Sequence, residues 1–300
     1  MSLYTGYSIP KPSAFALVGS GANDCAILTP WADMFNGRCQ DATRFRWISG
    51  AQTTGSFIKL QFTLASPIVA GMVGLFGLRL LDAAGNTFAS SAALRVAFTG
   101  KRAGDPDFTY ALGGNTATQR SVKRSDGSYA VIGICDLGLT PIVGWQLEIW
   151  NDQNGVPTLP AQALVDLGKP FVCPAFDQTI DGDWELTPPN DQVPVSPNDQ
   201  PWPNPYPPGR VLSFSRRQMP FSDAYVDGTN PCWQSLCTLA GNGDVSVMVP
   251  RWGKIGALDA VSMHATALFG LAKFGPLKRT PGGDYFSISG TMKEVPALLA

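Results

Sequence analysis

Four carboxylates are the residues whose types and spacing come closest to a chemical site. Asp177, Asp181, Asp183 and Glu185 lie within nine positions of each other. The alternating trio at 181, 183 and 185 could bind one calcium ion together with backbone carbonyls, or supply an acid and a base for sugar hydrolysis. The segment lacks the D-x-D-x-D-G calcium loop. We favour a third interpretation, a solvated turn, because carboxylates are normally exposed.

The single histidine, His264, limits the other catalytic chemistries. A Ser-His-Asp or Cys-His site within this chain would have to use it. Its neighbours Met263, Ala265, Ala267 and Leu268 are apolar, so we predict that it is a structural residue of a buried strand. No G-x-S-x-G, Walker or dinucleotide-binding fingerprint accompanies it. We therefore predict that the protein is not an enzyme.

The six cysteines match no metal-binding pattern. Their spacing has no C-x2-C pair of the zinc type. Cys25 and Cys39 could pair across a loop, whereas Cys232 and Cys237 should lie on nearly opposite faces of a helix and remain unpaired. We interpret the set as scattered buried thiols and predict no cofactor.

Composition excludes several classes of protein. Lys and Arg number 22 and Asp and Glu 23, so the net charge is −1 and gives no bulk attraction for nucleic acid. Charged residues are only 15% of the chain, and 16 Phe, 8 Trp and 7 Tyr are too many for a disordered chain. No apolar run is long enough for a transmembrane helix, and no signal peptide is visible. Sparse charge with a net charge near zero indicates either an unusually polar neutral surface or a surface largely covered by partners.

A proline-rich segment divides the sequence. Nine of the 25 prolines fall between Thr187 and Pro208, where they favour extended, polyproline-like geometry. Trp202 and Tyr206 stand among these prolines and are our candidate interface residues. We predict a β-sandwich domain at 1–180, a connector at 181–209 and a small α+β domain at 210–300. Within the first domain, residues 1–40 are a candidate arm that packs elsewhere.

Alternating apolar residues predict strands on both sides of the connector. Before it, the alternation covers 58–64, 94–99 and 145–149, the apolar run 69–81 predicts one or two buried strands, and Asp126-Gly127 predicts a hairpin turn. After it, Asn230 and Pro231 should begin a helix that ends at Gly241. Strands are expected at 245–249 and 263–271. The fold class is mainly β, a sandwich or jelly roll followed by an α+β unit.

Several of these segments together resemble a known family. They are 45–48, 55–62, 71–78, 210–214, 233–239, 245–249, 268–271 and 285–295. Their pattern of residue types resembles the galactose-binding-like (discoidin-type) β-sandwich, in the version found in tailed-phage tail and baseplate proteins. The resemblance implies a structural virion protein, a ring or hub that links the tail tube to fibres. It also implies a location at the virion tail tip after synthesis in the host cytoplasm.

Two alternatives to this function remain. The expected partners are other copies of the chain and other tail proteins, with no nucleic acid and no membrane insertion. The first alternative is a carbohydrate-binding module for host-surface glycans, with Trp202 or Asp183 in its site. The second is a glycan-cleaving enzyme that uses Asp181, Asp183 or Glu185, which ranks last because nothing in the sequence sets the separation of the carboxylates.

Overall fold

The computed structural model describes most of the chain outside the proline-rich segment. The described residues are 2–18, 25–36, 42–48, 58–87, 94–113, 119–120, 122–123, 128–135, 141–153, 156–181, 183–188, 209–225, 232–250, 263–281 and 283–295. Trp202 and Tyr206 lie outside them, as does the predicted Asp126-Gly127 turn.

These residues form 22 strands and few helices. In chain order the strands are β1 (Ser2–Gly6), β2 (Pro12–Leu17), β3 (Cys25–Ile27), β4 (Thr43–Trp47), β5 (Ile58–Ile68), β6 (Met72–Leu81), β7 (Leu94–Arg102), β8 (Tyr110–Ala111), β9 (Gln119–Arg120), β10 (Val122–Lys123), β11 (Tyr129–Ile134), β12 (Ile142–Gln153), β13 (Val156–Thr158), β14 (Leu164–Leu167), β15 (Lys169–Cys173), β16 (Ala175–Thr179), β17 (Glu185–Thr187), β18 (Val211–Pro220), β19 (Val245–Val249), β20 (Leu268–Phe274), β21 (Lys278–Arg279) and β22 (Tyr285–Glu294). The helices are a 3₁₀ turn at Trp31–Phe35, α1 (Phe221–Ala224), α2 (Trp233–Gly241) and a helical turn at 263–266. The prediction of a mainly β protein is confirmed.

The strands form three antiparallel sheets. The outer sheet has the order β2-β5-β12-β7-β8, with β13 beside β12 and β9 beside β7. The middle sheet has the order β10-β11-β6-β14-β4-β3, with β15 also beside β6. The third sheet has the order β16-β1-β19-β20-β22-β18-β17, with β21 beside β22.

The three sheets stack, and the middle one is covered on both faces. Alternate residues of β6 belong to different cores: Val73 and Leu75 pack with the outer sheet, whereas Met72 and Phe76 pack with the third sheet. A third apolar cluster covers the opposite face of the third sheet and includes Trp233 of α2. Burial on both faces explains why β6 is a continuous apolar run. The run predicted as one or two strands at 69–81 is this single strand.

Alternation identified the strands that bury only one face. β5, β7 and β12 contain the three alternating segments, and their apolar positions face the main core. The sequence prediction is confirmed for these three strands: their alternate polar positions are half-buried or exposed, except for buried Gln146.

The predictions for the C-terminal segment need two corrections. Residues 263–266 form a helical turn, and the strand begins only at Leu268, so the strand predicted at 263–271 is wrong in its first half. Helix α2 exists, but Cys232 is its N-cap and Gly241 is still helical. The left-handed residue is Gly243, with φ 78°, where glycine avoids a steric penalty. Asn230 and Pro231 lie outside the described residues.

The third sheet combines strands from both sides of the proline-rich segment. β1, the start of the candidate arm at 1–40, lies between β16 and β19. β17, inside the predicted connector at 181–209, pairs with β18. The sheet therefore crosses the predicted boundary at residue 180, because β pairing joins segments that are far apart in the sequence. The division into units at 1–180 and 210–300 stays a prediction.

Candidate functional site

The four carboxylates of the acidic segment are not brought together. Asp177 lies on β16 and Glu185 on β17, and these are the two opposite edges of the third sheet. Asp181 and Asp183 instead face Arg217, whose guanidinium nitrogens lie 3.7 Å from Asp181 Oδ2 and 4.0 Å from Asp183 Oδ2. An exposed cation thus lies beside the two central carboxylates.

A β-bulge explains why Arg217 reaches this position. The register of β18 against β22 shifts between Arg216 and Met219, and Gln218 has the left-handed φ of 52°. Such a bulge turns a side chain out of the regular alternation. Within the described residues, no group of three or more His, Cys, Asp or Glu side chains could hold a metal ion. The calcium prediction for Asp181, Asp183 and Glu185 gains no support from this arrangement.

His264 closes an edge of the middle sheet. Its imidazole is buried, and Nδ1 accepts the backbone N–H of Ile132 at 2.8 Å. The proton of the neutral ring is therefore on Nε2. Burial lowers the pKa of His264 to about 4, from an ordinary value of 6.5. The predicted position of His264 on a strand is wrong, because the residue lies on the helical turn. Beyond the end of β10, its ring takes the place of a strand partner for β11.

A buried ion pair holds the same helical turn. Arg210 donates through Nε and a terminal nitrogen to the two carboxylate oxygens of Glu294, each at 2.8 Å. Its terminal nitrogens also donate to the carbonyls of Ala265 and Ala267. This arginine ties the turn to the third sheet and His264 ties it to the middle sheet, which assigns the group a structural role.

The described cysteines are all reduced. Cys25, Cys135, Cys173 and Cys232 are buried, and Cys237 is partly buried. Burial raises the pKa of Cys25 and of Cys135 to about 12 and also raises that of Cys173. Cys232 and Cys237 do not pair, as predicted. Cys25, which the sequence left able to pair with Cys39, is a free thiol, and Cys39 lies outside the described residues.

A group of three aromatic rings, of which the first is exposed, the second half-buried and the third buried, is the strongest candidate for a functional surface. It consists of Phe221, Tyr225 and Phe286, which we call the aromatic patch. Phe221 and Tyr225 stack with centroids 5.1 Å apart, and Tyr225 meets Phe286 edge to face at 5.1 Å. Phe221 is 55% exposed. An exposed aromatic is not unusual alone, but a cluster on a fixed element offers an anchor for a partner.

Local structure holds the aromatic patch in place. β18 ends at Pro220, and the short helix α1 begins at Phe221, so four positions bring Tyr225 back beside Phe221. Arg216 on β18 donates to the carboxylate of Asp223 on α1 at 2.5 Å, which ties the helix to the strand. The sequence analysis missed this patch. The sequence feature that indicates the patch is a pair of aromatic residues at i and i+4, directly after an alternating strand that ends in proline.

A second candidate surface is the half-buried face of the outer sheet that points away from the main core. Gln61 Nε2 donates to Gln146 Oε1 at 3.0 Å, and Gln146 Nε2 donates to Glu148 Oε1 at 2.9 Å. Lys59 pairs with the same carboxylate at 2.8 Å. Half-buried Trp150 is two residues beyond Glu148 on the same face of β12. We call these residues the polar strip.

In comparisons with known proteins, no family model matches the chain, and neither a curated protein nor a solved structure does. The resemblance to tailed-phage proteins therefore stays a prediction that rests on residue patterns. Among the residues that the structure describes, no helix has the length and apolar character needed to span a bilayer.

Proposed function

We propose that this chain is a structural virion protein of a phage tail tip or baseplate, and not an enzyme. In this role it binds copies of itself and other tail proteins and forms a ring or hub between tail tube and fibres. The aromatic patch is the observation that carries the proposal. It supports assembly because the exposed ring of Phe221 is held in place by its packing against half-buried Tyr225 and buried Phe286, so burial of that ring against a partner would yield stabilisation.

The energetic scale of such a contact is sufficient for association. Full burial of a large apolar side chain contributes about 1.5–3 kcal/mol, and aromatic anchors at the centre of an interface account for much of its affinity. The low charge of the chain, 15% of its residues, supports the same conclusion, because charged side chains are depleted from interface cores.

We further propose that the outer and middle sheets form the galactose-binding-like jelly roll of the resemblance. They enclose the largest apolar cluster, as the two sheets of a sandwich do. Residues 210–300 would then supply most of an appended α+β unit, built on the third sheet and α2. The location at the virion tail tip follows from the function, with synthesis in the host cytoplasm.

Light scattering coupled to size-exclusion chromatography tests the assembly function. We expect the wild-type chain to form oligomers whose mass rises with concentration, and Phe221→Ser to shift them toward monomer. Tyr285→Ser is the matched control: Tyr285 is 52% exposed, nearly as much as Phe221, but its side chain leaves the opposite face of β22 from Phe286. A wild-type chain that stays monomeric at the highest concentration would contradict the proposal.

The polar strip favours a carbohydrate-binding module as a second candidate function. Planar amides, a carboxylate and an aromatic ring are groups that recognise sugar hydroxyls and sugar faces, and here half-buried Gln61, Glu148 and Trp150 share one sheet face around buried Gln146. A glycan array separates the two functions. If the strip binds glycans, specific signals will disappear with Trp150→Ala and persist with Trp202→Ala. An array without specific signals would remove this candidate.

A further inference from the structure

We propose that Lys169 and Asn36 form a covalent cross-link, an isopeptide bond between the lysine Nζ and the side-chain carbonyl carbon of the asparagine. The two residues lie 133 positions apart in the sequence, so the bond would fasten the predicted arm at 1–40 to the middle sheet. The inference is independent of the proposed assembly function, because the bond lies within one chain.

The amine of Lys169 is a buried nucleophile. Lys169 begins β15 and is only 3% exposed, although lysine is almost never fully buried unless it is paired. Its Nζ donates to the backbone carbonyl of Asp33 at 2.6 Å and to Oδ1 of Asn36 at 3.1 Å. Removal from water penalises a charged ammonium, and the neutral amine is the form that attacks a carbonyl carbon.

Packed elements hold both reaction partners. Asn36 is the C-cap of the 3₁₀ turn Trp31–Phe35, and buried Met34 anchors that turn in the main core. The backbone before Lys169 is pressed against β6, because a Cβ added to Gly168 would collide with a carbonyl oxygen of that strand. The amine and the amide therefore approach each other from two rigid parts of the fold, which keeps them close over time.

The geometry suits attack on the amide. Nζ lies 3.1 Å from Oδ1, and the amide carbon lies one C=O bond of ~1.2 Å beyond that oxygen. Asn36 is exposed, so rotation of its side chain can bring the carbon to the ~3–3.5 Å of a near-attack arrangement. The Nζ–Cγ bond forms and the Cγ–Nδ2 bond breaks. A proton from Nζ moves to the leaving nitrogen, which departs into solvent as ammonia, and no oxidant or reductant is needed.

The bond would close a large loop in the chain. The loop between its two ends runs from β4 to β14 and so includes the central strands of the outer and middle sheets. A covalent link that closes a long loop removes conformational freedom mainly from the unfolded state. The cross-link would thus stabilise the two sheets that enclose the main core.

Mass spectrometry of the purified wild-type chain under reducing conditions tests the inference. We expect an intact mass about 17 Da below that of the unmodified chain, which is the loss of one ammonia. A tryptic digest should contain the peptides with residues 36 and 169 joined to each other. Asn36→Ala and Lys169→Arg should both keep the unmodified mass, the second because a guanidinium stays charged and is a poor nucleophile.

Deamidation is the competing reaction, because glycine follows Asn36 in the sequence. It adds about 1 Da and joins no peptides. Asn242 is the matched control: it also precedes glycine and caps a helix, but α2 has no basic residue in its last turn, so we expect no cross-link there.

Two results would overturn the inference: a wild-type chain that keeps its unmodified mass, or a loss of about 17 Da that persists in Lys169→Arg. Neither result bears on assembly, which the Phe221→Ser experiment tests separately. The failure of the cross-link and the failure of the proposed function are therefore distinguishable.

Discussion

His264 shows how one buried polar side chain can join distant parts of this chain. The ring accepts the Ile132 N–H only while Nδ1 is unprotonated. Protonation would remove the acceptor and place a charge in an apolar environment. The residue therefore stabilises the folded protein as a neutral group, and its contribution depends on pH.

The lowered pKa of His264 predicts a specific acid sensitivity. Because the folded pKa of about 4 is below the unfolded value of 6.5, the unfolded chain binds more protons between these values, and stability falls as pH falls through them. The full contribution is roughly 3 kcal/mol. Urea unfolding at several pH values should show the advantage of wild type over His264→Asn shrinking by roughly 2–3 kcal/mol between pH 7 and pH 4.

Comparing the wild type with His264→Asn separates the effect of His264 titration from that of the carboxylates, because the carboxylates titrate in both proteins. An asparagine keeps a side-chain acceptor near the position of Nδ1 but does not titrate. Parallel stability profiles for the two proteins across this pH range would contradict the assignment. His264→Leu should cost about 1–3 kcal/mol at neutral pH, because the Ile132 N–H loses its acceptor.

Arg217 predicts the response of the acidic segment to calcium. Its guanidinium already faces Asp181 and Asp183, so a calcium ion would have to displace it or be repelled by it. We expect the melting temperature to be the same in calcium chloride and in magnesium chloride of equal ionic strength. A calcium-specific increase that Asp183→Asn abolishes would restore the sequence-based calcium site.

At the scale of elements, β6 is the strand on which the stacked sheets depend. Gly74 of β6 faces the third sheet, and a Cβ added there would lie 2.6 Å from Phe171 Cζ and 2.8 Å from Ile132 Cδ1. A side chain at this position forces apart residues that are already close-packed. The glycine is therefore required by the approach of the two neighbouring strands.

Gly74→Ala should destabilise the protein by about 1–3 kcal/mol, the usual cost of overpacking a core. Gly241→Ala is the control, since no atom lies within 4 Å of an added Cβ there and alanine is the better helix former by about 1 kcal/mol. Chemical unfolding of the three proteins measures both effects. Equal stabilities of Gly74→Ala and wild type would mean that the middle sheet is looser than the stacked arrangement requires.

Local sequence patterns predicted the strands that have a buried face and a polar face. β5, β7 and β12 carry polar side chains on one face, so their alternation could be read directly. β6 is buried on both faces and gave only an apolar run. The position of β1 between β16 and β19 depends on pairing between residues at least 169 positions apart, which no local pattern contains.

The candidate sites differ in the same way: one consists of residues adjacent in the sequence, and the other is assembled by strand pairing. The acidic segment stood out because its residues are adjacent in sequence, yet the fold sends Asp177 and Glu185 to opposite edges of one sheet. The aromatic patch combines residues 221 and 225 with residue 286, which meet only because β18 pairs with β22. Its members looked ordinary until the pairing brought them together.

At the scale of the whole molecule, three stacked sheets form the body of the proposed subunit, and the exposed ring of Phe221 lies at one end of β18. Permanent assemblies bury interfaces above ~2,000 Å². The aromatic patch would therefore contribute one part of a larger contact surface.

The most direct test of the central claim, that this chain functions by binding copies of itself, is native mass spectrometry of the wild-type protein over a range of concentrations. The account predicts one closed oligomer of defined copy number, which becomes monomeric in Phe221→Ser and remains intact in Tyr285→Ser. A single monomer peak for the wild-type chain at every concentration would contradict it.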